Sequence, residues 1–423
     1  MNSKLENFLT KKVRPLAGNF SYNPSKVALS EGAKEIVDQA FDIPGNKLFD
    51  YHCHLVSIGT DNNFGYVNYK MYNPLFVPLK LRFNMFASAA GITSAAVTDQ
   101  QYIDGLVKLL KLILDLGKVS LLALDQYYDK MGRPHPEITR LYVPNDYLMR
   151  ICNKYPEYFE PVISVHPYRS DALQELEKWG EQGIKFVKWL GNSMNIDASD
   201  PLCEKFYQKM KEYNMTLLAH AGNEEAITVP AHQYLGNPLL YRKPLEMGLK
   251  VILAHCAGHG MNLDHDSKIK KPIKNYKLFY RMMDNPKYEG LLFGDIAAVT
   301  QINRCGSPLK NIIERSEHHH RLINGSDYPL PGVNAANSTI VLRLLGYINK
   351  EEKKYLDELY YYNPLLCDFV TKRTIRLPKE KNKKLAPGIF GQNKILPKFN
   401  RGQEPLKSSR KSPEINLNKS TSK

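Results

Sequence analysis

Apolar positions along the chain fall into a repeating alternation. Short apolar runs bounded by turn residues are each followed by a longer stretch with apolar positions three or four apart. Residues 47–55 open the series as a strand, and 100–117 read as an amphipathic helix with Leu106, Leu109, Leu110 and Ile113 on one face. A strand over 119–124 follows. The alternation then continues with helices over 146–154, 172–181, 202–213, 239–247, 277–283 and 309–317, each leading into a strand: 161–166, 184–190, 215–220, 250–255, 291–296 and 321–324. Two more helices are predicted near 338–345 and 351–360. Apolar runs between amphipathic helices are the mark of parallel strands buried on both faces. Eight such units over about 300 residues predict an α/β chain of the (β/α)8 TIM type rather than an open doubly wound sheet. No Gly-x-Gly-x-x-Gly turn follows the first strand, which weakens a dinucleotide-binding alternative.

The rhythm sets the expected boundaries. Residues 1–46 are polar, broken by Pro15, Gly18, Pro24 and Gly32, and read as an N-terminal arm with a short helix near 31–40. The barrel is expected over 47–377. Inside it, 56–98 is irregular, with Gly59, Gly65, Pro74 and Pro78 as breakers, and reads equally as a substrate lid or as an insertion packed on the barrel top. From 378 onward Lys, Ser, Asn, Pro and Gly dominate, so 378–423 is expected to be a disordered basic tail.

Composition adds limits. At 423 residues, 43% hydrophobic and 10% aromatic, the chain can bury a sizeable core. Of the net charge of +15, the tail carries +9, twelve Lys and Arg against three Glu. The barrel surface is therefore not expected to bind nucleic acid, while tail contact with polyanions stays open. The most apolar stretch, 105–125, is interrupted by Lys108, Lys111, Asp115 and Lys118, which argues against a membrane span. Residues 1–19 hold no apolar run of a secretory signal, and the six cysteines lack any Cys-x-x-Cys spacing. A cytoplasmic, reducing setting is expected. A homo-oligomer stays open.

The polar residues of interest gather at strand ends. His52 and His54 lie on the first strand, one residue apart, so both point the same way with Cβ atoms roughly 6.5–7 Å apart. Imidazole nitrogens from that spacing can share one divalent metal. His166 ends the third strand, Lys188 the fourth, His220 the fifth and His255 the sixth, and Asp327 follows the eighth. Lys188 to His220 is 32 residues, His220 to His255 is 35, and His255 to Asp327 is 72, close to two units. In a barrel these ends converge on one mouth. His166 and Asp125 are expected there as substrate contacts or supports. His318, His319 and His320 precede the eighth strand and are expected on the opposite, surface-facing end. Glu224, Glu225, His259 and His265 are read as solvated loop residues near the mouth.

The motifs Asp50-Tyr51-His52-Cys53-His54, Ala219-His220-Ala221-Gly222, Ala254-His255-Cys256-Ala257-Gly258 and Gly325-Ser326-Asp327-Tyr328-Pro329 resemble the amidohydrolase superfamily, more narrowly its amidohydrolase-related (amidohydrolase 2) branch. The resemblance covers about residues 47–375. It implies a barrel that holds a divalent metal through His52, His54, Asp327 and one or more of His220 and His255, with His255 or Asp327 as acid/base. It also implies that Lys188 can be carboxylated and bridge two ions; an anionic substrate group or a nearby carboxylate are its other expected partners. Imidazole and carboxylate donors suit zinc, and also manganese or iron, in one or two ions. The expected activity is hydrolysis of a C–N, C–O or lactone bond in a small molecule. Non-oxidative decarboxylation on the same ligands and a non-catalytic scaffold are the alternatives.

Overall fold

The structure is a computed structural model that describes residues 28–43, 47–92 and 98–399. Eight parallel strands carry it: β1 (Leu48–His54), β2 (Leu116–Leu122), β3 (Phe159–Val162), β4 (Phe186–Trp189), β5 (Thr216–Ala219), β6 (Lys250–Leu253), β7 (Leu292–Asp295) and β8 (Leu322–Ile323). β1, β2 and β3 pair in that order, and β4 to β8 pair in sequence order. Two narrower junctions close the ring. Ile163 bridges Val187, with Ile163 N–H donating to Phe186 O at 3.2 Å and Lys188 N–H to Ile163 O at 2.7 Å. Cys53 bridges Tyr328, with Tyr51 N–H donating to Asn324 O at 2.9 Å and Asp327 N–H to His52 O at 2.6 Å. The chain is a (β/α)8 barrel.

The barrel interior is filled from every strand. Phe49 and Tyr51, Leu122, Val162, Phe186, Leu218, Ile252, Phe293 and Ile323 form one buried layer. Strict alternation would send Cys53 inward beside Tyr51, yet Cys53 packs with the outer helices. A register irregularity between Asp50 and Cys53 absorbs the change of face. The Asp50 carboxylate fixes it, accepting from His52 N–H and Ser326 N–H at 2.9 Å each. Such a bulge re-aims side chains, and here it turns His52 and His54 to the mouth.

The interior layer is sealed from below by the segment after residue 378. Leu396 is buried in it, and Phe399 stacks on Phe186 and Phe49 at centroid distances of 4.7 and 5.7 Å. Asn393 N–H donates to Tyr51 Oη at 3.0 Å. The composition break at Pro378 therefore does not end the packed chain: Leu385, Ile389, Phe390 and Leu396 are all buried. The rest of the expected tail, 400–423, lies outside the described residues.

At the N-terminal side, the helix Glu31–Ala40 is capped by Ser30, whose side chain accepts from Ala33 N–H. It packs on the C-terminal helices Lys350–Tyr362 and Pro364–Thr374, where Arg373 Nε donates to Ala40 O at 2.9 Å. The described part of the 56–98 connection, residues 56–92, is built on the barrel top. Its strand Tyr66–Val67 pairs with Leu141–Tyr142, and it contains a helix, Val77–Ala89, that the breaker-rich sequence did not suggest. Buried Asp99 ties it down, accepting from Ile58, Gly59 and Thr60 N–H. Among the described residues, no helix is long and apolar enough to cross a membrane.

Candidate metal centre

Three side chains from opposite edges of the ring junction meet at the mouth. His52 Nε2 and His54 Nε2, from β1, lie 3.3 Å apart. Asp327 Oδ1, from the turn after β8, is 3.5 Å from the first and 3.1 Å from the second. Donors on a tetrahedral zinc at ~2.1 Å are separated by roughly 3.4 Å, so the three atoms have the edges of a metal-binding face. Gly325 lets the strands approach this closely: a Cβ there would lie 2.6 Å from His52 Cβ.

Protonation states fit the same use, since metal ligands must be neutral imidazoles and ionised carboxylates. Burial lowers the pKa of His52, and the Lys188 charge adds to that against the pull of Asp295 and Asp327. Burial alone would raise Asp327, but His255, His52 and His54 more than offset it and hold the carboxyl well below the usual range.

Asp295, at the end of β7, organises the floor of the site. Fully buried, it accepts from His52 Nδ1–H at 2.8 Å through Oδ2 and from the backbone N–H of His255 at 2.8 Å through Oδ1. The first bond fixes the His52 tautomer with its Nε2 lone pair aimed at the mouth. Sequence reasoning missed this residue. The signal was present: the 72 residues from His255 to Asp327 skip one unit, and Asp295 ends the skipped strand.

His255 sits on a segment where His255, Cys256 and Ala257 have φ of 58°, 49° and 51°, and Asp327 has φ 60°. Left-handed backbone at four non-glycine residues is strain of the kind that gathers at functional sites. His255 Nδ1–H donates to Ala297 O at 2.9 Å, which leaves Nε2 facing Asp327 Oδ2 at 3.8 Å. With His52 and Asp295, His255 makes a second three-donor group.

The other expected residues divide. Lys188, fully buried on β4, donates from Nζ to His52 Nε2 at 3.0 Å, and burial pulls its pKa down to about 8. His220 lies within 5.1 Å of the His255 ring but joins neither group. Its Nε2 faces Asn223 O at 3.3 Å and Glu224 Oε2 at 3.5 Å. Glu224 is accordingly buried, not solvated as the sequence suggested, because its carboxylate also accepts from Ala226 and Ile227 N–H. Glu225 and His259 do pair near the surface, at 2.8 Å. His166 donates from Nε2 to Met194 O and accepts from Tyr168 N–H at Nδ1, so both ring nitrogens are engaged by backbone. Asp125 accepts from Gln126 N–H, His166 N–H and Arg169 Nη1. At the far end, His318 and His319 are buried, held by Asp284 and by Ile312 O, and only His320 is exposed as expected.

No protein-family model matches the sequence, and no curated protein matches it. Solved structures of similar fold include a probable 2-pyrone-4,6-dicarboxylic acid hydrolase from Acinetobacter baumannii with citric acid bound, at 16% identity over 74% of this chain and 95% of that one, TM-score 0.41. A second is 5-carboxyvanillate decarboxylase from Sphingomonas paucimobilis, at 11% identity, 82% and 98% coverage and TM-score 0.46. A third is 5-carboxyvanillate decarboxylase from Novosphingobium aromaticivorans with manganese and 4-hydroxy-3-methoxy-5-nitrobenzoic acid, at 11% identity, 69% and 90% coverage and TM-score 0.39. The barrel assignment rests on this chain's own strand pairing, and the chain resembles the amidohydrolase superfamily in the motifs those strands carry.

Proposed function

We propose that the protein is a metal-dependent hydrolase of the amidohydrolase type, acting with water on a C–N, C–O or lactone bond of a small molecule. The observation that carries the reading is the His52–His54–Asp327 donor face, with Asp295 behind it fixing the His52 tautomer. A divalent ion held there, zinc, manganese or iron, supplies Lewis acidity and lowers the pKa of water to ~7. Asp327 Oδ2, on the side away from His54, takes the proton of the attacking water and passes it to the leaving group. His255 Nε2, 3.8 Å from that oxygen, stabilises the protonated state and is the second acid/base group. Lys188, with a pKa near 8, has a neutral fraction at ordinary pH. That fraction can add CO2, releasing a proton and giving a carbamate that, with His220 and His255, would help to hold a second ion.

Non-oxidative decarboxylation is the second reading. A buried Lys188 ammonium without a carboxylate within 4.0 Å among the described residues favours a substrate that brings its own carboxylate. A scaffold role has less support, since His52, His54 and Asp327 converge on one donor face. Metal analysis of the purified chain with a screen of amides, lactones, esters and aromatic carboxylates separates the three. Turnover of an amide, ester or lactone supports hydrolysis, CO2 release from a carboxylate supports decarboxylation, and metal-free protein inactive on all four classes removes both.

A further inference from the structure

Beside the turn after β8 lies a cavity of about 270 Å3 that no metal-centre donor lines. Its walls come from that turn, from the helix Thr339–Leu344, and from the helices Lys350–Tyr362 and Pro364–Thr374. Hydrogen bonds of their own hold these walls in place. Asn337 Nδ2 donates to Leu330 O at 2.7 Å, and Tyr360 Oη donates to Gly332 O at 2.8 Å. Pro331, Leu342 and Pro364 supply apolar surface. The charged lining is two carboxylates, Asp357 and Asp368, against one ammonium, Lys353.

The two carboxylates are satisfied to different degrees. Asp357 has both oxygens engaged, Oδ1 by the Thr339 hydroxyl at 2.6 Å and Oδ2 by Lys353 Nζ at 2.5 Å. Asp368 has 7% of its side chain exposed, and its Oδ2 accepts from Lys372 Nζ at 2.6 Å. Among the described residues no donor reaches its Oδ1. Lys372, fully buried, is itself shared: its Nζ also donates to Gly325 O at 2.7 Å, and its charge bears on Asp50 as well. Burial raises the pKa of Asp368, and the charge of Asp327 adds to that against the pull of Lys372. The carboxylate is therefore short of positive charge and keeps one oxygen open where it lines the cavity. A buried charge is costly until something pairs it.

The chemistry of the lining narrows what that partner is. Asp357 and Asp368 belong to no three-donor group among the described residues, so a divalent ion has no cage there. The volume is near the lower end for ligand pockets and exceeds what a bare ion needs. An ammonium group donating to a carboxylate makes a strong, charge-assisted bond, and a short apolar body fits against the prolines and Leu342.

We propose that this cavity binds a small organic ammonium compound, with Asp368 Oδ1 accepting from its N–H. The site stands apart from the chemistry at the metal centre and does not depend on it. The test is calorimetric titration of the full chain with three probes of one shape, n-butylammonium, n-butanol and butyrate, at constant ionic strength. Butylammonium should bind at least ~10-fold more tightly than either of the others, the range of a hydrogen bond to a charged group. Asp368→Asn keeps the shape and loses the charge, so it should lose that preference. Ala335→Trp, at an exposed position of the rim, sets an indole in the opening and should abolish butylammonium binding. It stands in if Asp368→Asn, which leaves Lys372 without its carboxylate, does not fold. Failure of the wild type to bind butylammonium, equal affinity for butylammonium and butanol, or tighter binding of butyrate would each overturn the proposal. So would wild-type butylammonium affinity in either variant.

Discussion

Asp327 and Asp295 are both buried carboxylates of the site, but their partners give them different work. Asp327 presents one oxygen to His54 at 3.1 Å and the other towards His255, while Asp295 spends both oxygens on holding His52 and His255 in place. Asp327→Asn should keep the fold and lower turnover by more than about 100-fold, because the amide cannot take a proton from water; wild-type turnover by this variant on any identified substrate would remove the role. Asp295→Asn should instead weaken metal affinity by ~10–100-fold, as losses of a ligand's orienting partner do. Competition against a fluorescent chelator reads it, and unchanged affinity would make Asp295 merely structural. His166 offers a pH signature away from the metal ligands. Burial holds it neutral in the folded chain, with a pKa of about 3 against the ordinary 6.5. Below about pH 6.5 the unfolded chain takes up a proton that the folded one refuses, so stability falls as pH drops from there towards 3. His166→Gln should be less stable at pH 7.5 but lose less on going to pH 5; parallel losses in the two proteins would show that His166 is not held neutral.

At the scale of elements, the C-terminal segment that seals the barrel bottom sets a boundary that truncation can read. Removing 400–423 should leave the melting temperature unchanged, whereas Leu396→Ala should cost about 2–4 kcal/mol by opening a cavity against the interior layer. A variant ending at 386 as stable as the full chain would show that the segment does not support the barrel. Sequence alone could not place this boundary, because Leu396 and Phe399 stand in a short stretch broken by Lys and Pro, and their burial comes from a distant partner, Phe49 and Phe186. The strands were legible for the opposite reason. Each is an apolar run whose pattern is local, and the helix 172–181 coincides with the observed Ala172–Glu181. The helix Val77–Ala89 was hidden because its apolar residues show no single face, and residues 77–89 include a proline in the first turn. In the site, His52, His54 and Asp327 were legible as polar residues where buried strands end. Asp295 was legible only through spacing, as the end of the strand that the 72 residues from His255 to Asp327 skip. The closed ring shows what it does there, holding His52 and His255.

For the molecule as a whole, one barrel brings β1 and the turn after β8 into contact across some 275 residues, and the metal reading depends on that closure. The ion would join the two ends of the ring, so it should stabilise the fold as well as enable chemistry. Manganese or zinc at ~100 times its dissociation constant should add about 2.7 kcal/mol to wild-type stability. The most direct measurement is the metal content and melting temperature of the full chain, dialysed against zinc or manganese with bicarbonate, beside His54→Ala and Lys188→Ala. The wild type should hold a stoichiometric divalent ion, His54→Ala should lose it together with the metal-dependent rise in melting temperature, and Lys188→Ala should fall from two ions to one if Lys188 carries the bridge. A wild-type chain that retains no divalent ion and melts at the same temperature with and without it would show that the His52–His54–Asp327 face is not a metal site.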